Sequence, residues 1–358
     1  MLPDRDFLFD LLRTPSPTGF ETPGQRKWAA YVTPLADEVE ADAYGNVWAR
    51  LAGTASGAPR LMLEAHADEI GFMVKYITDE GFLHIDRIGG SDSAIARGKR
   101  VQILGSKGVV LGVLGNTAIH LRDRSGEEKA PKLEELFVDI GAASREEVAE
   151  RGIRIGHPAV YEEHVEELTE KRLIGRALDN RLGGYVIAQV VARLAADRPA
   201  ASIVALNAVQ EEIGGNGARM AAYRLEPDMA LVLDVTHATD SPGISKAKHG
   251  EVKLGKGPAI THGTVNHPEI VQRLIEVAEQ EEITLQHEAS SRYSGTDTDV
   301  VFVTKTGIPS ALVSIPMRYM HSTVEMVDTG DIEATIRLMT AFAQSVRTDD
   351  VFRARILD

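Results

Sequence analysis

The chain has 358 residues and a formal net charge of −14, with 39 Lys and Arg against 53 Asp and Glu. That length suggests two domains around a sizeable core, and the acidic balance excludes a partner bound through phosphate neutralisation, so no nucleic acid is expected. With no cysteine in the chain, disulfides, thiolate catalysis and cysteine zinc sites are excluded, and any metal has to be held by His, Asp and Glu.

The opening stretch "MLPDRDFLFDLLRTPSPTGFE" is amphipathic and acidic, and no apolar run reaches the roughly 18 residues of a membrane span. A cytoplasmic protein without a membrane partner is expected. Helices are predicted over about 4–13 and 22–36, separated by "PSPTG", whose two prolines and glycine force a loop. "NVWARLAG" and "RLMLEAHADEIGFMVKYI" then read as strands, with β-branched and aromatic residues in rough alternation. From about Glu69 to His164 the segments are short and broken by glycine turns: "GFLHIDRIGG", "KRVQILGSKGVVLGVLG" and "LFVDIGA" are strand-like, and "SREEVAERG" is a helix headed by a capping Ser. This block, residues 69–164, reads as a small inserted β-barrel domain. The acidic stretch "YEEHVEELTEK" reads as a solvated surface segment.

After Leu173 strands and helices alternate. Helices are predicted over "NRLGGYVIAQVVARLAAD", after "GGNGARMAA", over "PEIVQRLIEVAEQEE" and over "GDIEATIRLMTAFAQSVR", with strands over "ASIVALNAVQ", "MALVLDV" and "SALVSI". That order predicts an α/β fold whose mostly parallel sheet carries helices on both faces. Residues 1–68 and 165–358 would form this sheet domain, with the barrel inserted between them.

The charged residues fall on this skeleton in a pattern. "LMLEAHAD" ends a strand in His66 and Asp68, which share a face because side chains two apart on a strand point the same way. "VALNAVQEEIGG" ends in Glu211 and Glu212, "ALVLDVTHA" contains Asp234, and "ALVSIP" leads through "MRYMHS" to His321. Ligands of open α/β sheets bind beyond the carboxyl ends of the strands. Asp179, in "GRALDNRLGG", opens a helix that would aim it at the same place. Taken singly, Asp179 or Asn180 is more often a helix cap, His321 a satisfied polar group and the Glu211–Glu212 pair a solvated turn. Their coincidence at strand ends is what those readings leave unexplained. Two His, three carboxylates and a spare Glu make a set for two divalent cations, whose charge offsets the desolvation of the acids. Of two adjacent Glu residues, one can bind metal while the other stays free as a general base towards water.

"LMLEAHADEIGFMV", "FVDIGA", "GRALDNRLGG", "NAVQEEIGGNGA", "DVTHATDSPGI", "LGKGPAI" and "IPMRYMHSTVEMVD" together resemble the tetrahedral aminopeptidases, co-catalytic metallopeptidases that include glutamyl, leucyl, lysyl and deblocking enzymes. The resemblance runs from "TPSPTGFE" to the last helix. It implies a phosphorylase/hydrolase-like sheet sandwiched by helices, with an inserted PDZ-like or β-barrel dimerisation domain. Carried over residue by residue, it makes His66, Asp179 and Asp234 ligands of one metal and Asp179, Glu212 and His321 ligands of the other, with Asp179 bridging. Glu211 matches the catalytic base, and Asp68 the acid that orients His66. The metals would be zinc first, with cobalt or manganese also suited to these donors. Six dimers would assemble into a hollow dodecamer whose interior admits peptides and not folded proteins. The departures lie in "IGGSDSAIARGKRV", which lacks the tryptophan and proline common in the family.

The resemblance thus implies removal of N-terminal residues from peptides by metal-activated water. A deacylase of N-blocked substrates is the alternative. A glycoside hydrolase, a label some relatives carry, would need acids on opposite sides of a glycosidic bond, whereas Glu211 and Glu212 are neighbours and only two tryptophans are available for stacking on sugars. A scaffold with structural metals would have no use for a spare base. "HGTVNHP" and "RYSGTDTD" are candidates for the substrate pocket; His249, His262, His267 and Asp297 are weighed as lining residues against surface or structural roles. A broad neutral or hydrophobic side-chain preference is the default expectation.

Overall fold

The structure is a computed structural model and describes residues 2–122, 130–354 and 356. An eight-stranded sheet runs from edge to edge as Glu38–Ala41, Val47–Leu51, Ser202–Ala208, Arg60–His66, Met229–His237, Ser310–Met317, Ala259–Gly263 and Gln286–Ser290. The four middle strands, from Ser202–Ala208 to Ser310–Met317, are mutually parallel. Runs such as "MALVLDV" fit these places because a central parallel strand is buried on both faces. Both flanks join the parallel block antiparallel, Val47–Leu51 on Ser202–Ala208 and Ala259–Gly263 on Ser310–Met317. The sheet is therefore parallel at its centre and mixed at its flanks.

Side-chain alternation decides which residues reach which face. In the strand Arg60–His66, Leu61, Leu63 and Ala65 join the larger apolar core, and Met62 joins the smaller one on the opposite side. In Met229–His237, Leu231, Leu233 and Val235 face the larger core, and Ala230 and Val232 the smaller. By the same two-residue period, His66 and Asp234 share the face of the smaller core. Helices Leu178–Ala196, Thr329–Ser345, Arg5–Arg13 and Thr22–Val32 cover the larger core, while Asn216–Leu225 and the short turn Thr298–Val301 cover the other. The second helix stops at Val32, short of the expected 36: Thr33 keeps helical backbone, but Pro34 has no N–H to continue the hydrogen-bond ladder.

Six strands, in the circular order Gly71–Ile77, Leu83–Ile88, Phe137–Asp139, Gly108–Gly115, Arg100–Gly105 and Pro158–Tyr161, close into a barrel. Its separate core contains Phe72, Val74, Val101, Ile103, Leu114 and Val138. A three-stranded sheet of Glu166–Thr169, Arg172–Gly175 and Glu325–Asp328 lies outside both. The acidic segment read as solvated thus holds a strand, Glu166–Thr169, all of it exposed. Among the described residues no helix is long and apolar enough to cross a membrane.

The stretch "RLMLEAHADEIGFMVKYI" divides at Ala67–Ile70, where the chain leaves the sheet for the barrel. Asp68 and Glu69 are fully buried at this crossing because backbone amides and cations meet them. Glu69 accepts from the Ser16 amide at 2.8 Å, pairs with Arg176, and lies 3.6 Å from Arg181. This answers the desolvation cost of a carboxylate with both hydrogen bonds and charge.

Candidate metal centre

Five loops and strand ends converge beyond the carboxyl edge of the parallel strands. His66 ends one strand and Asp234 lies in the next, both buried. His66 Nε2 is 3.3 Å from Asp179 Oδ1, 3.7 Å from Asp234 Oδ1 and 3.9 Å from Glu211 Oε2. His321 Nε2 is 3.2 Å from Asp179 Oδ2 and 3.5 Å from Glu212 Oε2. Asp179 therefore offers one oxygen to each imidazole. Two triads result, His66–Asp179–Asp234 and Asp179–Glu212–His321, each with one donor atom per residue within 4.8 Å of the others.

Local features make each placement. Asp179 opens the helix Leu178–Ala196 without capping it; Asn180 does that, its Oδ1 accepting from the Gly183 amide at 3.0 Å while its Nδ2 donates to the Leu233 carbonyl at 2.7 Å. The cap is thus delegated and the Asp179 carboxylate is free to face the site. Gly183 allows the helix to lie close to the His66 strand, since a Cβ there would meet Ala65 Cβ at 2.8 Å. After the strand Ser202–Ala208, Gln210 in left-handed backbone leads into the tight turn Glu211–Ile213. Asp68 pins that turn: its Oδ1 accepts from the Glu211 amide at 3.0 Å, and its Oδ2 from the Glu212 amide at 3.2 Å and the Thr18 hydroxyl at 2.8 Å. Asp68 Oδ1 also faces His66 Nδ1 at 3.5 Å, with the Asp68 carbonyl at 3.2 Å.

Two residues with a part in this arrangement escaped the sequence reading. Glu325, buried, accepts from the Leu178 and Asp179 amides at 2.8 and 3.2 Å through Oε2 and from the His321 amide at 3.0 Å through Oε1. It does for Asp179 and His321 what Asp68 does for the Glu pair. The signal lay in plain view, an acid four residues after a candidate ligand, but nothing in a sequence says which backbone amides a carboxylate will meet. Gly90, at the barrel's edge, packs against His321: a Cβ there would come within 2.4 Å of Nδ1. The barrel thus helps wall the site.

The electrostatics are those of acids in excess. Burial, with Asp234 and Asp297 adding and His66 opposing, pushes Glu211 up to about 9. Burial and Asp179 raise Glu212 well above the usual carboxylate range, and burial raises Asp234. Asp179, against the upward push of burial, is drawn below that range by His321 and His66. His66 resists burial and is raised by Asp179, Asp234 and Asp68. Among the described residues, the ion pairs of these four carboxylates are all to His66 or His321. Glu212 Oε1 is buried without a hydrogen-bond partner. Imidazole and carboxylate donors around an unmatched oxygen, with no Lys or Arg paired to them, fit divalent cations.

A cavity of about 700 Å³ opens on the cluster, lined by Asp179, Glu211, Glu212, Asp234 and His321. Ser294, Gly295, Thr296 and Asp299, from "RYSGTDTD", line it as well. The other pocket candidates do not line this cavity. His262 bonds His287 at 2.9 Å on the exposed edge strands, His267 precedes the helix Pro268–Gln280, and Asp297 is buried against Glu64. His249 lines a neighbouring cavity.

A family model for M42 glutamyl aminopeptidases matches residues 45–338. The chain belongs to this family. The family match makes it a peptidase, and relatives extend the likeness over the full length. A lysyl aminopeptidase from Pyrococcus furiosus is 35% identical over 97% of this chain and 99% of its own. The structure of aminopeptidase APDkam598 from Desulfurococcus kamchatkensis, 32% identical, superposes with a TM-score of 0.92 over 99% of this chain and 98% of that one. The TET1 peptidase of Pyrococcus horikoshii, described as able to assemble into a tetrahedron or a large octahedral shell, is 28% identical with a TM-score of 0.84 over 95% and 99%. The fold is that of the tetrahedral aminopeptidases.

Proposed function

We propose that the chain is a dinuclear metal-dependent aminopeptidase that removes N-terminal residues from peptides. His66, Asp179 and Asp234 would hold one divalent cation and Asp179, Glu212 and His321 the other. Zinc is favoured over cobalt or manganese as the resident metal. The observation that carries this reading is the placement of Asp179 between the two histidines, its two oxygens 3.3 and 3.2 Å from their Nε2 atoms. A carboxylate shared in that way is what two cations in one site require. When bound, the cations supply Lewis-acid polarisation of the scissile carbonyl and acidify water.

The chain's own residues account for the proton movements. Glu211 lines the cavity beside the cluster and lies outside both triads. As a general base it takes the proton of the attacking water and later returns one to the leaving amine. Uncompensated burial would keep it protonated, so its ionisation depends on positive charge held by its neighbours. Asp68, through the Glu211 and Glu212 amides, keeps the base and a ligand in fixed relation.

Assembly into a homo-oligomer, a dodecamer of dimers, belongs to the same proposal. Val109, Leu111 and Val113 stand exposed in alternation along one barrel strand, an apolar stripe that a second copy would cover.

The test is hydrolysis of aminoacyl anilides by chelator-treated protein before and after adding back zinc, cobalt or manganese. Release from free but not N-acylated amino ends is expected, and Glu211→Gln should retain metal while losing about 100- to 10,000-fold in kcat. Release only from N-acylated substrates would make it a deacylase, and cleavage of a cellulose derivative in place of anilides would make it a glycosidase.

A further inference from the structure

Beside the metal cluster a second cavity of about 490 Å³ has Thr236, His237 and Met320 in common with the first. Thr236 stands two residues beyond Asp234 on the same strand face, about 6.6 Å along the chain. Its hydroxyl donates to Glu288 Oε1 at 2.7 Å. Glu288 comes from the outermost strand, Gln286–Ser290, whose polar residues gave no strand signal in the sequence. It is half-buried, and among the described residues its side chain has that one hydrogen bond and no ion pair. Burial pushes its carboxyl above the usual range, with Thr236 opposing. Ile244, Met317 and Tyr319 supply apolar wall in the same cavity.

An apolar wall ending in an acid with no Lys or Arg paired to it is the complement of a long side chain with a terminal positive charge. The separation from Asp234 to Thr236 is one that the four-carbon stem of a lysine bridges. The other acid at the rim, Asp299, is already engaged: it accepts from the Ser294 amide and hydroxyl and the Gly295 amide, each at 2.9 Å. Two imidazoles, His237 and His249, line the same cavity, and among the described residues neither is paired with Glu288.

We infer that this cavity receives the side chain of the substrate's first residue and that Glu288 selects lysine or arginine there. This rests on the aminopeptidase reading above and departs from a broad neutral preference. It also sets the chain apart from the glutamyl specificity in the family's description, since an acidic side chain would meet Glu288 with like charge.

The experiment compares the metal-loaded full chain with Glu288→Gln, which keeps an acceptor for Thr236 and removes the charge. kcat/KM is measured on lysyl, arginyl, leucyl and glutamyl anilides, and calorimetry measures binding of lysinol and leucinol, which cannot be hydrolysed. The expected result is a roughly ten- to hundred-fold preference for the basic anilides, lost in Glu288→Gln while the leucyl rate changes little. Lysinol should bind tighter than leucinol, again only with Glu288 present. A wild-type preference for leucyl or glutamyl substrates, or an equal loss on all substrates in the variant, would overturn the inference. If no anilide is cleaved, the aminopeptidase reading fails by itself. Binding still decides the role of Glu288: a lysinol preference that the variant abolishes upholds it, and equal binding overturns it.

Discussion

Replacing Glu325 by Gln tests whether a residue that touches no substrate sets the position of two proposed ligands. Its carboxylate receives three backbone amides, two through one oxygen and one through the other. A glutamine keeps one oxygen and turns the other into a donor. The least costly arrangement points the oxygen at Leu178 and Asp179, and the new NH2 then faces the His321 amide. The His321 amide loses its acceptor and the new NH2 has none, at about 1–3 kcal/mol each, so the variant should be about 2–6 kcal/mol less stable. His321 has left-handed backbone, φ 60°, which a non-glycine residue holds only when its surroundings impose it. Losing the amide bond should therefore loosen His321 more than His66, whose support comes from Asp68. The assay is chemical denaturation together with metal content after dialysis against graded chelator. The expected result is about a 10- to 100-fold weaker affinity for one of two ions, the other being held as in the parent. An unchanged denaturation midpoint with both ions retained equally would refute the reasoning.

Two further predictions concern stability. Glu69→Ala removes the shared partner of Arg176 and Arg181, both buried, and should cost about 3–5 kcal/mol by urea denaturation; a loss under about 1 kcal/mol would show that these cations find other compensation. Burial pushes the Glu21 carboxyl from 4.5 up to about 7. Between those values the native protein keeps a proton that the unfolded chain has lost, so this group's contribution to stability falls as pH rises, by up to about 3 kcal/mol in total. Glu21→Gln should abolish that part of the slope and be the more stable form at pH 8; parallel stability curves of the two proteins from pH 4 to 8 would contradict it.

The sequence made the central strands, the long helices and the barrel's texture legible because each is written in apolar periodicity. "MALVLDV" and "NRLGGYVIAQVVARLAAD" need no tertiary information to be read as a buried strand and a buried helix. Ala259–Gly263 was missed because five residues with only two large apolar or β-branched side chains show no period, and Gln286–Ser290 because a polar edge strand lacks one. The convergence of His66, Asp179, Glu212, Asp234 and His321 was also legible, since strand ends collect at one edge of a parallel sheet. What distinguished Asp179 from an ordinary cap was not. That depends on Asn180 taking the Gly183 amide, a contact that either of two adjacent polar residues could have made. Glu325 and Gly90 act through backbone and close approach, which leave no chemical mark on the chain. Glu288 reaches Thr236 across 52 positions of sequence, so its place beside the cluster emerges only from the fold.

The central claim is that this chain holds two cations through a shared Asp179. Its most direct test is elemental analysis of metal per chain, on the wild type and on Asp179→Asn, in samples whose anilide hydrolysis is measured in parallel. The account predicts two ions per wild-type chain, loss of tight binding at both positions in the variant, and loss of hydrolysis with them. A wild type that is fully active with one ion or none, or an Asp179→Asn protein that keeps both, would contradict it.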